Sequence, residues 1–581
     1  MDINRLHGTQ HERYSSDNFM HKIWKIKEPN SQLQIKLSDA LGIHPIVAQL
    51  LINREIFDVK EAEIFLSADI SGLVNPFLFK HMDIAVDRIR KAQHNRERVL
   101  IFGDYDVDGV TSCVLLYNLL TQMGIEVLTH IPNRMHDGYG LNHEIGDYAR
   151  HKGVSLLIAV DCGITANREV ETLNQLGLDV IIIDHHEPSE SGLPKALAII
   201  NPKQKDCPYP FKHLASVGLV TKLIQAVLGE FYHEALALAA IGTIADVVPL
   251  RGENRILVKF GLPNISKTKN KGLQALLETA KIKDKKISPF HVGFVLGPRI
   301  NAAGRMDSAH KSLELFLCED PLQALILAQA LEQLNIDRQK MQRDVVQEAL
   351  EIVEQEVNFK DHKVIVLSKE GWHKGVLGIV ASKITEMFYR PSIVISVKDG
   401  IGTASARSID GFHLHDALSH CADFLEDFGG HQGAAGLTIR QENIDTFRSL
   451  INEVAQETLE IRRLIPAVSI DCEIPLSAIS LELADVVDAM EPFGEGNPTP
   501  VFCSRSLTVK SRPQVLGKDT LKFWVSDGKF SISAVGFGMA KYKEMVNLGQ
   551  TVDLAYEIAI DDWNKAPTPQ LKLKDIRPGG S

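Results

Sequence analysis

Three apolar runs in this chain each end in a cluster of titratable residues. Val180-Ile181-Ile182-Ile183 is followed by Asp184-His185-His186. Val99-Leu100-Ile101-Phe102 runs into Gly103-Asp104-Tyr105-Asp106-Val107-Asp108-Gly109, and Leu156-Leu157-Ile158-Ala159-Val160 into Asp161-Cys162-Gly163. Unbroken β-branched and aliphatic runs predict strands buried on both faces, as in a parallel sheet. Residues 97–200 alternate such strands with helical stretches, the βαβ rhythm of an α/β domain. In an open parallel sheet the C-terminal edge is where ligands bind. So many carboxylates on one rim raise each other's pKa, and divalent cations would relieve the repulsion.

The pattern elsewhere fills in an architecture. Residues 40–95 and 212–315 carry helical spacing. From Pro321 to Gly371 neither Gly nor Pro interrupts, and Leu327, Leu331, Leu334, Met341, Val345 and Ile352 fall near heptad spacing, which predicts one long connecting helix. A second α/β region starts at the strand Lys363-Val364-Ile365-Val366-Leu367 and runs to about residue 458. Beyond it, Phe523-Trp524-Val525, the Asp527-Gly528 turn and Phe530-Ser531-Ile532-Ser533 read as a hairpin. Strands over 501–510 and 551–560 extend it to a small β-barrel. The expected fold is therefore α/β with a parallel-sheet domain, a linking helix, a second α/β domain and an OB-like barrel. The boundaries expected are 1–40 for an N-terminal extension, then 41–318, 319–358, 359–460 and 461–581.

Bulk properties narrow the partners. A length of 581 residues suggests several domains. A net charge of -11 argues against a protein that coats nucleic acid through overall charge, while leaving room for a locally basic channel. The seven cysteines contain no CxxC pair and read as reduced thiols of a cytoplasmic protein. No run of about 18 apolar residues suggests a membrane span, and residues 1–30 carry no apolar signal core. The lysines at 267, 269, 271, 281, 283, 285 and 286 read as solvated faces.

The titratable clusters suit metal chemistry. Carboxylate and imidazole ligands favour Mg²⁺ or Mn²⁺ over soft metals. Asp106, Asp108 and Asp161 would share two ions, with His185 and Asp246 completing the shell of the second ion. A lone buried Asp such as Asp246 is more often a helix cap or ion-pair partner; beside the other acids the metal reading overtakes that one. Two metals about 3.5–4 Å apart activate water and stabilise an in-line phosphoryl displacement. Arg134, and Arg299 and Arg305 within Gly297-Pro298-Arg299-Ile300-Asn301-Ala302-Ala303-Gly304-Arg305, are candidate phosphate contacts. A lone Arg is usually a surface ion pair, but small neighbours such as those around Asn301 let a ligand approach closely.

With these motifs the chain resembles the DHH phosphoesterase superfamily. Asp104-Tyr105-Asp106-Val107-Asp108-Gly109, Val160-Asp161-Cys162-Gly163, Asp184-His185-His186 and Ala245-Asp246 are similar to its four motifs, in order. The second α/β region is similar to its DHHA1 domain through residues 371–381, Ser405-Ala406-Arg407-Ser408 and the Gly-rich segment around His431. Phe102 stands where many smaller members carry His, and Asp104 is additional. That difference, the segment 297–305, the linking helix and the barrel resemble the RecJ-type bacterial single-strand exonucleases.

The resemblance implies 5′→3′ hydrolysis of single-stranded DNA to mononucleotides, in recombination and repair. It implies metal ligation by Asp106, Asp108, Asp161, His185 and Asp246, supported by Asp104, with His186 on the scissile phosphate. It further implies that Arg134, Ser405 and Arg407 hold the 5′-phosphate, and that Arg299, Asn301, Arg305 and His431 contact substrate. A monomer that works with a single-strand-binding protein and a RecQ-type helicase is also implied. The barrel would grip single strands through aromatic and basic residues, with Phe523, Trp524, Lys522 and Arg512 as candidates. Phe523 and Trp524 must face opposite sides of a strand, so one belongs to the core. Two alternatives stay open: another DHH phosphatase or cyclic-dinucleotide phosphodiesterase, and a non-catalytic scaffold. The barrel argues against the first and the complete acid and histidine set against the second.

Overall fold

The computed structural model describes residues 22–132, 140–142, 144–189, 192–561 and 567–580. Its first sheet has five parallel strands in the order Glu126–His130, Arg98–Gly103, Val154–Val160, Asp179–Ile183 and Ala198–Ile200. The aliphatic runs form the three central strands because helices cover both faces. Val99, Ile101, Ile158 and Ile181 enter one core. Leu100, Phe102, Leu157 and Ile182 enter the other. The register then sets the site. Gly103 stands beside Val160, and Val160 beside Ile183. The next residue of each strand is Asp104, Asp161 or Asp184, so these three acids fall in one row on the C-terminal edge.

The long helix runs from Pro321 to Glu356. Asp320 caps it by accepting a hydrogen bond from the Gln323 N–H, and Pro321 takes the first turn, where no N–H donor is needed. Its buried stripe is Ala324, Ala328, Leu331, Asn335, Arg338, Val345, Ala349 and Val353. This corrects the leucine heptad: only Leu331 and Val345 are shared, while Leu327, Leu334, Met341 and Ile352 are partly buried at the margins. Small residues at the seam let neighbouring backbones come close, and Asn335 is satisfied there by accepting from Arg338 (2.9 Å). The first half packs into the first domain's core and the second half against the next sheet. That second sheet is mixed, in the order Leu425–Gly430, Ala434–Arg440, Ile401–Arg407, Ser392–Lys398 and Ile365–Glu370.

Seven strands then form the barrel, closed by pairing of Phe502–Val509 with Thr520–Ser526. Phe523 is buried and Trp524 is 46% exposed, so the two do face opposite ways. Residues 31–67 are placed differently from the sequence expectation, which gave 1–40 to an extension and 41 onward to the first domain. Helices Ser31–Leu41, Pro45–Asn53 and Val59–Ser67 bury Leu37, Leu50, Leu51 and Phe65 in one core with the barrel's Phe502, Phe523 and Tyr556. The strand Ile23–Ile26 pairs in parallel with Ala467–Ile470. Two buried arginines tie the parts together. Arg54 donates to Asn497 Oδ1 and the Pro498 carbonyl, each at 2.6 Å. Arg255 donates to the carbonyls of Phe65 (2.8 Å) and Glu491 (3.0 Å) and lies over the Phe65 ring. Among the described residues no single helix is long and apolar enough to cross a membrane.

Candidate active site

The acidic loop that follows the strand Arg98–Gly103 folds tightly. Asp106 caps the helix Val107–Gln122, accepting from the Gly109 N–H at 3.0 Å. A side chain at Gly109 would collide with the Asp104 backbone, so this position tolerates only glycine. Asp108, in the first turn, is buried. Its two oxygens accept from the Ser216 N–H (2.7 Å) and the Val217 N–H (2.8 Å) at the start of the helix Ser216–Leu228. Those amides hold the carboxylate in place, a role for backbone that no side-chain motif announces.

Asp161 follows its strand in the left-handed region, with φ 62°. Such backbone is costly for a side-chain-bearing residue and recurs at functional sites. It turns the carboxylate toward His185, whose Nε2 lies 3.5 Å from Asp161 Oδ1 and 3.4 Å from Asp246 Oδ2. Asp246 ends the helix Leu236–Ala245. Its successor Val247 is also left-handed, with φ 60°. Three overlapping donor sets result, each within 4.8 Å: Asp104, Asp106 and Asp161; Asp108, His185 and Asp246; Asp161, His185 and His186.

Charge in this cluster is unbalanced. Burial, reinforced by Asp108, Asp106 and Asp104, pushes the Asp161 carboxyl well above its usual range. Burial and Asp106 push Asp108 up to about 7. Burial, with Asp108 and Asp106, pushes Asp246 up to about 9. Burial and the neighbouring His186 hold His185 down to about 3, so its ring is neutral. A neutral imidazole whose Nε2 makes no hydrogen bond, between two carboxylate oxygens, fits a hard divalent cation.

His186 differs from its neighbour. Its Nδ1 lies 2.7 Å from Asp184 Oδ1. Burial opposes its charge, but the Asp184 hydrogen bond and charge win and raise it to about 9. Asp184 is itself held by the N–H groups of His186 and Ile164, both 3.0 Å away. In the sequence Asp184 stands only as part of a motif; in the structure its work is to orient and charge His186.

The second domain supplies an opposite wall. Ser405 and Arg407 lie on the strand Ile401–Arg407, beside the start of the helix Leu377–Phe388. The Cβ position of Gly378 lies 3.2 Å from Arg407 Nη2 and 3.7 Å from Ser405 Oγ, so all three converge on a helix N-terminus, a natural anion site. The helix Gly297–Met306 bridges the walls. The Cβ position of Gly304 lies 2.8 Å from the Tyr105 carbonyl of the acidic loop, and a side chain at Gly375 would collide with the Arg305 carbonyl. Arg305 also reaches the Gly375 carbonyl at 3.5 Å.

The other expected contacts separate. Arg299 faces away, giving Glu332 of the long helix a two-pronged ion pair (2.5 and 3.2 Å) and donating to the Val295 carbonyl. An acid on the packed long helix thus engages its guanidinium. Asn301 is half-buried on the bridging helix. His431 is exposed at the tip of the turn joining Leu425–Gly430 to Ala434–Arg440, lining a cleft of about 690 Å³ with Ser408 and Thr385. Arg134 lies outside the described residues.

Comparison with known proteins gives the family. Family models match in three stretches: the DHH family N-terminal domain over 98–243, the DHHA1 domain over 361–457 and the RecJ OB domain over 470–575. The single-stranded-DNA-specific exonuclease RecJ of Bacillus subtilis (strain 168) is 40% identical over 95% of this chain and 70% of that protein. The RecJ of Dickeya dadantii is 34% identical over 94% of this chain and 98% of that protein. The crystal structure of RecJ in complex with Mn²⁺ from Thermus thermophilus superposes with a TM-score of 0.82 at 28% identity, covering 96% of this chain and 80% of that one. By its three matched domains and its identity to these relatives along nearly its own full length, the chain belongs to the family of RecJ single-stranded-DNA-specific exonucleases.

Proposed function

We propose that this chain hydrolyses single-stranded DNA from its 5′ end to mononucleotides, by two-metal-ion phosphodiester hydrolysis, in DNA recombination and repair. The observation that carries the reading is the pairing of two walls. An acidic edge holding buried, mutually repelling carboxylates, and a segment leading into a helix N-terminus lined by Ser405 and Arg407, both approach the bridging helix. Asp106, Asp108, Asp161, His185 and Asp246 would hold two Mn²⁺ or Mg²⁺ ions, and Asp104 would support them. Bound there, the ions would supply a nucleophilic water and Lewis-acid stabilisation of the phosphate oxygens.

The chain's own groups do the rest. His186, kept charged by Asp184, would donate to a non-bridging oxygen of the scissile phosphate. Ser405, Arg407 and the N–H groups at the start of Leu377–Phe388 would take the terminal 5′-phosphate, which would fix where the strand is cut. Arg305 and His431 would steady the strand from the bridging helix and the second domain. On the barrel, Trp524 and Lys522 share an outward face, with Ser533 and Val535 as their cross-strand neighbours. A base stacked there would be held by the same physics as in other single-strand grooves. A monomer in the cytoplasm that meets a single-strand-binding protein and a RecQ-type helicase completes the proposal.

The test is direct. Purified full-length protein with Mn²⁺ is given single strands labelled at either end. Early release of the 5′ label as a mononucleotide, and its abolition by EDTA, are expected. Release of the 3′ label first, or cleavage that survives EDTA, would overturn the reading.

A further inference from the structure

An exposed aromatic pair, on the helical segment that packs against the helix ending at Asp246, takes no part in the chemistry above. Phe290 is 62% exposed and Phe294 72%. Their rings stack, with centroids 5.2 Å apart and planes at 25°. Large aromatic rings seldom gather in water without a partner. These two are also rigidly mounted. Ser288 starts the turn through a capping box with His291, and the next residues form a π-turn, Val292–Leu296. Such turns cluster at functional sites. Val292 and Leu296 are buried in the first domain's core on the opposite face. The Cβ position of Gly297, next in line, is 3.8 Å from the Cβ of Ala245, which precedes Asp246.

The pair continues a functional stripe. Positions 290, 294, 301 and 305 recur with the period of one helix face, and the slip of the π-turn leaves them on the same side. Arg299, on the other face, meets the long helix. The stripe therefore runs from the two phenylalanines past Asn301 to Arg305, at the junction of the two domains. Lys283, Lys285 and Lys286 precede the pair; Lys283 pairs with Glu278 (3.3 Å), and Lys286 reaches Glu491, at the entry to the barrel (3.6 Å). The Leu250 N–H also bonds the Glu495 carbonyl of that entry loop at 2.7 Å. The segment that carries the pair thus lies between the helix ending at Asp246 and the entry loop of the barrel.

Resting on the nuclease reading above, we propose that Phe290 and Phe294 form a stacking step for DNA bases, taking the nucleotides behind the one being cleaved and leading them toward the barrel. Every base offers a π-face, so the step is indifferent to sequence, and adjacent lysines suit the backbone phosphates. Paired bases in a duplex already stack on each other and cannot use it, so the pair also favours single strands.

The test uses the full chain with Mn²⁺ and the double variant Phe290→Ala/Phe294→Ala, both positions being too exposed to carry the core. Substrates are a 5′-phosphorylated dinucleotide, a long 5′-phosphorylated strand, and the same strand with abasic linkers just behind its first nucleotides. For the long strand the variant's KM rises about tenfold or more, and the loss on the dinucleotide is several-fold smaller. Abasic linkers reproduce the loss in the parent and add nothing in the variant. Phe290→Tyr/Phe294→Tyr restores the parent's KM. An unchanged KM on the long strand, or an abasic penalty that persists in the variant, overturns the proposal and leaves the pair as a protein-docking patch. A parent inactive on every substrate would sink the nuclease reading itself, which separates the two failures.

Discussion

The two walls of the cleft reach opposite charge by different routes. In the first domain, parallel register delivers Asp104, Asp161 and Asp184 in one row, and buried packing crowds Asp161 against Asp104, Asp106 and Asp108. In the second, a mixed sheet places Ser405 and Arg407 beside a helix end, where orientation of the backbone adds positive potential. One wall is thus unstable without a cation and the other is ready for an anion. The two halves should therefore fail differently: damage to the acidic wall removes chemistry, while damage to the basic wall removes discrimination.

The sharpest attempt to break this contrast is Asp161→Asn. Asn tolerates the left-handed backbone, so the fold should persist while hydrolysis falls about a thousandfold or more. The same variant should melt at a higher temperature than the parent in EDTA, because one buried carboxylate has left a crowd of its own kind. Mn²⁺ should raise the parent's Tm and scarcely move the variant's. Turnover near the parent's level would show that the row of acids is not the reacting wall.

Next in size, Asp184→Asn should lower kcat about 10–100-fold while sparing metal-dependent stabilisation, since it acts through His186. NMR titration of His186 should show its pKa falling from about 9 in the parent toward the ordinary imidazole value. A His186 that titrates as before would remove Asp184 from the account.

On the opposite wall, Arg407→Ala should cost 5′-phosphorylated strands about tenfold more in kcat/KM than 5′-hydroxyl strands, the size of one charge-assisted hydrogen bond. Equal losses would make Arg407 a contact to an internal phosphate. The smallest expected effect is on the barrel. Trp524→Ala should weaken binding to long single strands about fivefold and hardly touch a dinucleotide. Removing the barrel outright would be a poor test, because it would uncover Leu37, Leu50 and Phe65.

Much of this is legible in the sequence because local pattern and final packing agree. The aliphatic runs and their acidic ends predict the sheet, its polarity and the acids and histidines that gather on its edge, since strand length and C-terminal position follow from chain-local chemistry. The long helix shows through its lack of breakers, but its seam does not: Ala324, Ala328 and Ala349 look neutral in a sequence and become core only where another backbone comes close. Arg299 cannot be sorted from Arg305 without knowing which face meets Glu332. The strand Thr568–Pro578 lies outside the strands read from the sequence, although its lysines alternate with buried Leu571 and Leu573 as in a half-buried strand. The amides of Ser216 and Val217 that hold Asp108 carry no side-chain signature at all.

The shared core of residues 31–67 and the barrel also sets an order of events during synthesis. The three early helices leave the ribosome with their apolar faces uncovered, and the strands that cover them emerge more than four hundred residues later. At ordinary elongation rates that interval is on the order of 20–90 s. The acidic domain and the long helix can complete their own cores in that time, so the nascent chain waits with its beginning unfinished. Helper proteins that shield exposed hydrophobic helices would meet this chain at residues 31–67, and the last strand to form would release them.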